Sequence, residues 1–134
     1  LLSDNTVKKD PNAPALNLPG KVQMSGKEFG SAIKNISLAS DKIRFIVGNG
    51  IFTVESVGEG QDKTVKPYSS DELLHIGGDG NSMFSTDYLN GMARSMIGDI
   101  VINLGVDHPM IMEFEIAGGH GTGKYLLAPR IEND

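Results

Sequence analysis

Gly118-Gly119-His120-Gly121-Thr122-Gly123-Lys124 is the stretch whose residue types come nearest to a chemical motif. It matches the first seven positions of a phosphate-binding P-loop, in which backbone N–H groups cradle phosphates and the lysine neutralises them. Tyr125 stands where that chemistry needs a magnesium-ligating Ser or Thr, and an apolar strand pattern follows where a helix is required, so the stretch reads as a hairpin turn. Gly77-Gly78-Asp79-Gly80 has no helix directly after it to supply an anion-binding N-terminus and reads as a turn as well. His75, His108 and His120 are far apart and form no His-Glu-x-x-His spacing. With no cysteine, the chain has no Cys-based zinc site, disulfide or thiol nucleophile. No serine sits in a nucleophile-elbow context. The residues therefore predict no catalytic site, no metal site and no cofactor. What remains is the chemistry of phosphate contact: Lys27, Ser31 and Lys34 at i, i+4 and i+7, then Asn90 and Arg94 further on.

Two helices must position these groups. Ser25 followed three residues later by Glu28 has the form of a capping box, so a helix starts there, with Phe29, Ala32, Ile33 and Ile36 inward and Lys27, Ser31 and Lys34 outward. A second helix follows Ser85-Thr86-Asp87, with Tyr88, Leu89, Met92 and Met96 inward and Asp87, Asn90 and Arg94 outward. Around them lie strand patterns: 21–24, 43–47, 52–57, 64–68, 73–76, 82–84, 100–104, 110–116 and 124–127. Gly48-Asn49-Gly50 between apolar runs predicts a hairpin, and the runs 73–76 and 82–84 are expected to pair across their glycine turn. Met92, Met96, Met110 and Met112 fall at core-like positions. The order strand, helix, strands, helix, strands is that of a duplicated α+β unit with two helices on one face of antiparallel sheet.

Composition bounds the function. A chain of 134 residues fits one domain with a core of its own. A charge of −5, from 17 acidic against 12 basic residues, excludes binding nucleic acid by overall charge and leaves only a local basic face. No apolar run approaches the ~18 residues of a membrane span, and the start, Leu1-Leu2-Ser3-Asp4, is neither a signal peptide nor a start methionine, so the chain reads as a piece of a longer one. Residues Thr6 to Pro19, with prolines at 11, 14 and 19, read as a linker. The domain plan is thus 1–19 as a strand remnant plus connecting loop, and 20–134 as the folded domain.

The tail Tyr125-Leu126-Leu127-Ala128-Pro129-Arg130-Ile131-Glu132, preceded by Met112-Glu113-Phe114-Glu115-Ile116-Ala117-Gly118, resembles the C-terminal signature of the PCNA-type DNA sliding clamps in their archaeal form. Ala15-Leu16-Asn17-Leu18-Pro19, Glu28-Phe29 and Asp87-Tyr88-Leu89 add to the resemblance, which covers nearly the whole chain but only the second half of a clamp subunit. It implies a sliding-clamp fold, the interdomain connecting loop in 6–19 and, at Leu1-Leu2, the stub of a first domain's last strand. It also implies a non-enzymatic processivity factor in the cytoplasm of an archaeon, or the nucleus of a eukaryote. Three subunits, as a homotrimer, would encircle duplex DNA without reading its sequence and hold polymerase, clamp loader, nuclease and ligase through short PIP-type peptides.

The resemblance assigns three surfaces. Lys27, Ser31, Lys34, Asn90 and Arg94 would face DNA, in a field weakened by Asp87. Ala13, Leu16, Leu18, Pro109, Leu126, Ala128, Pro129 and Ile131 would form the partner-peptide pocket. Phe52, Thr53, Val54, Glu55, Ser56 and Val57 would be the edge strand of the ring joint, with Ile36 and Leu38 packed beneath it; lacking the first domain, the chain is expected to be monomeric or to self-pair through that strand. A free-standing peptide-binding adaptor without DNA encirclement is the alternative, and a small hydrolase using Asp and His residues is a third reading.

Overall fold

Val22 and Met24 alternate with Lys21 and Gln23 in the first strand, and this period of two turns one face inward and one outward. In a computed structural model, which describes residues 18–58, 64–93, 97–115 and 121–130, the chain runs β1 (Gly20–Ser25), α1 (Gly26–Ser37), β2 (Lys42–Gly48), β3 (Ile51–Ser56) and β4 (Val65–Ser69). A single 3-10 turn (Ser70–Glu72) leads into β5 (His75–Gly77), and then come β6 (Gly80–Ser85), α2 (Thr86–Ala93), β7 (Ile97–Leu104), β8 (Met110–Glu115) and β9 (Thr122–Leu127).

The start of α1 follows from one hydroxyl. Ser25 stands in extended backbone and its Oγ accepts from the N–H groups of Lys27 and Glu28, satisfying two of the donors a helix leaves bare at its start. Phe29, Ala32, Ile33 and Ile36 then recur on one side and are buried. Between β2 and β3, Asn49 and Gly50 take φ of 56° and 75°, the left-handed pair that a two-residue hairpin demands.

The strands form two antiparallel sheets, ordered β5-β1-β7-β8-β9 and β4-β3-β2-β6. The duplication is visible in how they are assembled: each half has a first strand, a helix and a three-strand meander, with β5 added at the end of the first half, and each first strand joins the meander of the other half. β1 lies beside β7, pairing Val22 with Ile102, and β6 lies beside β2, pairing Phe84 with Ile43. Both helices contribute to one shared core. Within it the rings of Phe29, Phe52 and Phe84 surround that of Phe45, with centroids 5.6, 5.8 and 5.7 Å away. Burying a ring of this kind contributes about 2–3 kcal/mol. Met110 and Met112 are fully buried and Met92 is partly so, while Met96 lies outside the described residues.

Four expectations need correction. The runs around β5 and β6 do not pair with each other, because the chain changes sheets between them: β5 pairs with β1 and β6 with β2. Gly78 makes that corner at φ 74°, where an added Cβ would lie 1.9 Å from the Pro19 carbonyl oxygen. Secondly, β3 is an interior strand; β4 covers it, pairing Phe52 with Tyr68 and Val54 with Lys66, so β4 forms the edge. Thirdly, Tyr88 points outward and is 68% exposed, because Leu89 and Thr86 occupy the buried side of α2. Lastly, Leu38 does not pack beneath β3 but stands 82% exposed just after α1, while Ile36 is in the core.

Candidate functional site

The outward side of α1 carries Lys27, Ser31 and Lys34, all exposed and opposite the buried row, so the spacing in the sequence yields one continuous stripe. Glu28 and Asn35 flank it, also exposed. On α2 the described exposed residues are Asp87, Tyr88 and Gly91, with Asn90 half-buried, and Arg94 lies outside the described residues. Among the described residues, then, the cations on the helical faces are Lys27 and Lys34, and Asp87 and Glu28 reduce their field. Such a surface can touch phosphates at a few points and cannot grip them tightly. The helices are locked together at one end. Thr86 Oγ1 donates to the Ser40 carbonyl at 3.3 Å, and the Thr86 N–H donates to that of Asp41 at 3.0 Å.

A second constellation lies where the two sheets meet at β6. The register of β8 and β9 sets Met110 opposite Leu127 and Ile111 opposite Leu126, which brings Pro109 beside Ala128 at the end of the ladder. Leu126 is 40% exposed on the outer face, whereas Leu127 and Tyr125 turn towards the core. After Ala128-Pro129, the extended tail crosses to the other sheet, and the Arg130 N–H donates to the Met83 carbonyl at 2.6 Å. The turn carrying Pro109 is fastened to the same strand. Asn81 N–H donates to the Gly105 carbonyl at 2.9 Å, Asp107 N–H to that of Asn81 at 3.1 Å, and the buried Ser82 hydroxyl to Gly105 at 3.0 Å and His108 at 3.5 Å. Arg44 Nη1 holds the Asn81 side-chain oxygen at 2.6 Å. Tail and turn thus flank β6, and Val106, 59% exposed, lies in the turn opposite Asn81. Leu18 is half-buried, and Ala13, Leu16 and Ile131 lie outside the described residues.

The third surface differs from the expected one. Phe52, Val54 and Ser56 are buried, Thr53, Glu55 and Val57 are half-buried, and β3 is flanked on both sides. The open edge is β4, where Val65, Lys66 and Pro67 are exposed. Beneath them Tyr68 is buried and stacks on Phe52, with the Lys66 ammonium 5.3 Å from its ring centre. Burial pushes the Tyr68 phenol above its ordinary pKa, and the nearby carboxylates of Glu28 and Glu72 act in the same direction. The sequence pattern gives a strand at 64–68 but assigns the edge to 52–57, although a proline within a strand pattern is the ordinary mark of an edge. Among the described residues, no group of three or more His, Asp or Glu could hold a metal ion, and no helix is long and apolar enough to cross a membrane.

Comparison with known proteins agrees with this fold. No protein-family model matches the chain. The whole chain is 44% identical over 138 residues to the DNA polymerase sliding clamp of Methanoregula boonei and 45% identical over 139 residues to that of Methanospirillum hungatei, covering 56% of each relative. The chain therefore spans about half the length of the curated relatives it matches. Its fold superposes with a TM-score of 0.84 on the structure of the C-terminal region of FEN-1 bound to A. fulgidus PCNA, at 34% identity over 99% of this chain and 55% of that one. The PCNA structure from Thermococcus kodakaraensis matches at a TM-score of 0.79 and 21% identity, a likeness of fold alone.

Proposed function

Because the chain has the sequence and fold of the PCNA-type DNA polymerase sliding clamps, we propose that it serves as part of a ring that encircles duplex DNA and tethers replication and repair proteins to it. The observation that carries this reading is the match along the entire chain, in sequence and in fold, to archaeal clamps. Its role is mechanical rather than catalytic. Lys27, Ser31 and Lys34 on α1, with Asn90 on α2 and Arg94 just after it in the sequence, are the residues proposed to face the duplex. Contacts to phosphate position a protein without reading bases, which suits a ring that has to slide.

The surface beside β6 that carries Pro109, Leu126, Ala128 and Pro129 takes the apolar anchors of a partner peptide, and Ala13, Leu16, Leu18 and Ile131 are assigned to the same pocket by the family resemblance. The FEN-1 fragment bound to the A. fulgidus relative supports a protein partner of that kind. The ring joint lies at β4 rather than β3, because of these two strands β4 is the one at the end of the sheet, and the exposed Leu38 lies at the end of α1 as an apolar contact for the neighbour.

The test is topological. A clamp subunit carrying this sequence, loaded on closed circular DNA, is retained, and linearising the circle releases it. Retention unaffected by linearisation overturns encirclement, and peptide binding without any retention favours a free-standing adaptor.

A further inference from the structure

The backbone of β4 has an outward side that is short of donors. The Ser56 N–H donates to the Thr64 carbonyl at 2.9 Å, which marks those two as a hydrogen-bonded pair of the β3–β4 ladder. Such pairs alternate along antiparallel strands, so Val54 with Lys66 and Phe52 with Tyr68 also exchange bonds. The residues between them, Val65, Pro67 and Ser69, turn their backbone groups away from β3, towards whatever docks. Three carbonyls point that way, and a regular strand would present three N–H groups with them. Pro67 has none. The Ser69 N–H is already taken, donating to the Glu72 carboxylate at 3.0 Å, while the Ser69 hydroxyl is shared between the carboxylates of Asp71 at 2.6 Å and Glu72 at 3.2 Å. Only the N–H of Val65 is left for a partner.

We propose that Pro67 and Glu72 are specificity-determining residues of this edge: by withdrawing two of its three outward donors they exclude a second copy of β4 and admit a neighbouring clamp subunit's strand that gives N–H groups and asks for few. This rests on the clamp reading for the identity of the occupant. The relatives are nearly twice as long as this chain, which covers 56% of them, so the docking strand is taken to come from the part of a clamp subunit that this chain does not span. Two copies of β4 laid antiparallel about Pro67 would be joined only by the Val65 N–H of each copy donating to the Ser69 carbonyl of the other, leaving the central Pro67 pair empty. A strand arriving from elsewhere is not bound to that symmetry and can place its own donors against the carbonyls of Val65, Pro67 and Ser69.

The experiment is sedimentation velocity of the 134-residue chain over a concentration series. It compares the unaltered protein with Pro67→Thr, which restores one donor, Glu72→Ala, which frees another, the double variant, and Asp71→Asn, which removes a charge from the same turn, keeps an oxygen for the Ser69 hydroxyl and leaves the Ser69 N–H on Glu72. The double variant is expected to self-associate at least about tenfold more tightly than the unaltered chain, the worth of one or two main-chain hydrogen bonds per partner. Each single variant gains less, and Asp71→Asn gains nothing. Identical behaviour of the unaltered chain and the double variant, or an equal gain from Asp71→Asn, overturns the proposal. Thermal unfolding checks folding in each case; if Pro67→Thr does not fold, Glu72→Ala, which leaves β4 itself intact, decides the matter. The DNA-retention assay uses none of these variants, so losing the clamp reading leaves the edge chemistry standing, and the reverse also holds.

Discussion

Replacing Ser82 by alanine probes whether the turn that carries Pro109 is held rigid for binding. The hydroxyl is fully buried and donates to the Gly105 and His108 carbonyls at 3.0 and 3.5 Å. Gly105 keeps its bond from the Asn81 N–H, whereas His108 loses the side-chain donor that ties it to β6. Loss of a buried hydrogen bond of this sort costs about 1–2 kcal/mol. For 134 residues, with an unfolding entropy of about 2.1 cal/mol/K per residue, that corresponds to a fall in melting temperature of about 4–7 °C. If the turn forms one wall of the partner cleft, part of the same free energy is spent re-ordering it when a peptide binds, and affinity falls about fivefold. Thermal denaturation followed by circular dichroism reads the first effect, and fluorescence anisotropy of a labelled peptide with aromatic and aliphatic anchors reads the second. A melting temperature within 1 °C of the unaltered protein would refute the worth assigned to the bond. A lowered melting temperature with unchanged peptide affinity would refute the turn's place in the cleft.

Gly78→Ala should destabilise the domain by about 3 kcal/mol or more, seen in urea titration, since its Cβ would meet the Pro19 carbonyl and its φ is 74°. Lys27→Ala and Lys34→Ala in a clamp subunit carrying this sequence should each lower the salt slope of DNA association by about 1 with little effect on melting, because both are exposed. Tyr68 supplies a pH test. Its folded pKa is raised, so its contribution is fully present below the unfolded value of about 10 and is lost as pH rises through the folded value. Stability should therefore decline above about pH 10 less steeply in Tyr68→Phe than in the unaltered chain.

Local chemistry in this chain was readable, and pairing at a distance was not. Ser25 announces α1 because the capping hydroxyl and its two N–H partners lie within three residues, and Asn49-Gly50 announces a hairpin because few other pairs tolerate both positive φ values. The strands around Gly77 to Gly80 resembled a hairpin for the same local reason, yet each has its partner far along the chain, β1 in one case and β2 in the other. Tyr88 was assigned inward by its apolar ring, but Thr86, whose hydroxyl finds the Ser40 carbonyl, holds the buried side instead. The stripe of Lys27, Ser31 and Lys34 was legible because a single helix builds it. The approach of Pro109 to Ala128 was legible only through the likeness of the tail to a known family, since the two meet through a ladder that no local pattern specifies.

The crossing of β1 into one sheet and β6 into the other has a consequence for how the molecule comes into being. Neither half can complete its wall without borrowing from its counterpart, so the two are clasped like interlaced hands, and no stable half-built form is available on the way. The joining of β1 to β7 waits until about eighty residues of intervening chain have been brought into place, an entropic toll that slows folding and makes unfolding all-or-none. Peptides severed between Gly78 and Asp79 would be expected to remain unstructured apart and to acquire their sheets only when mixed.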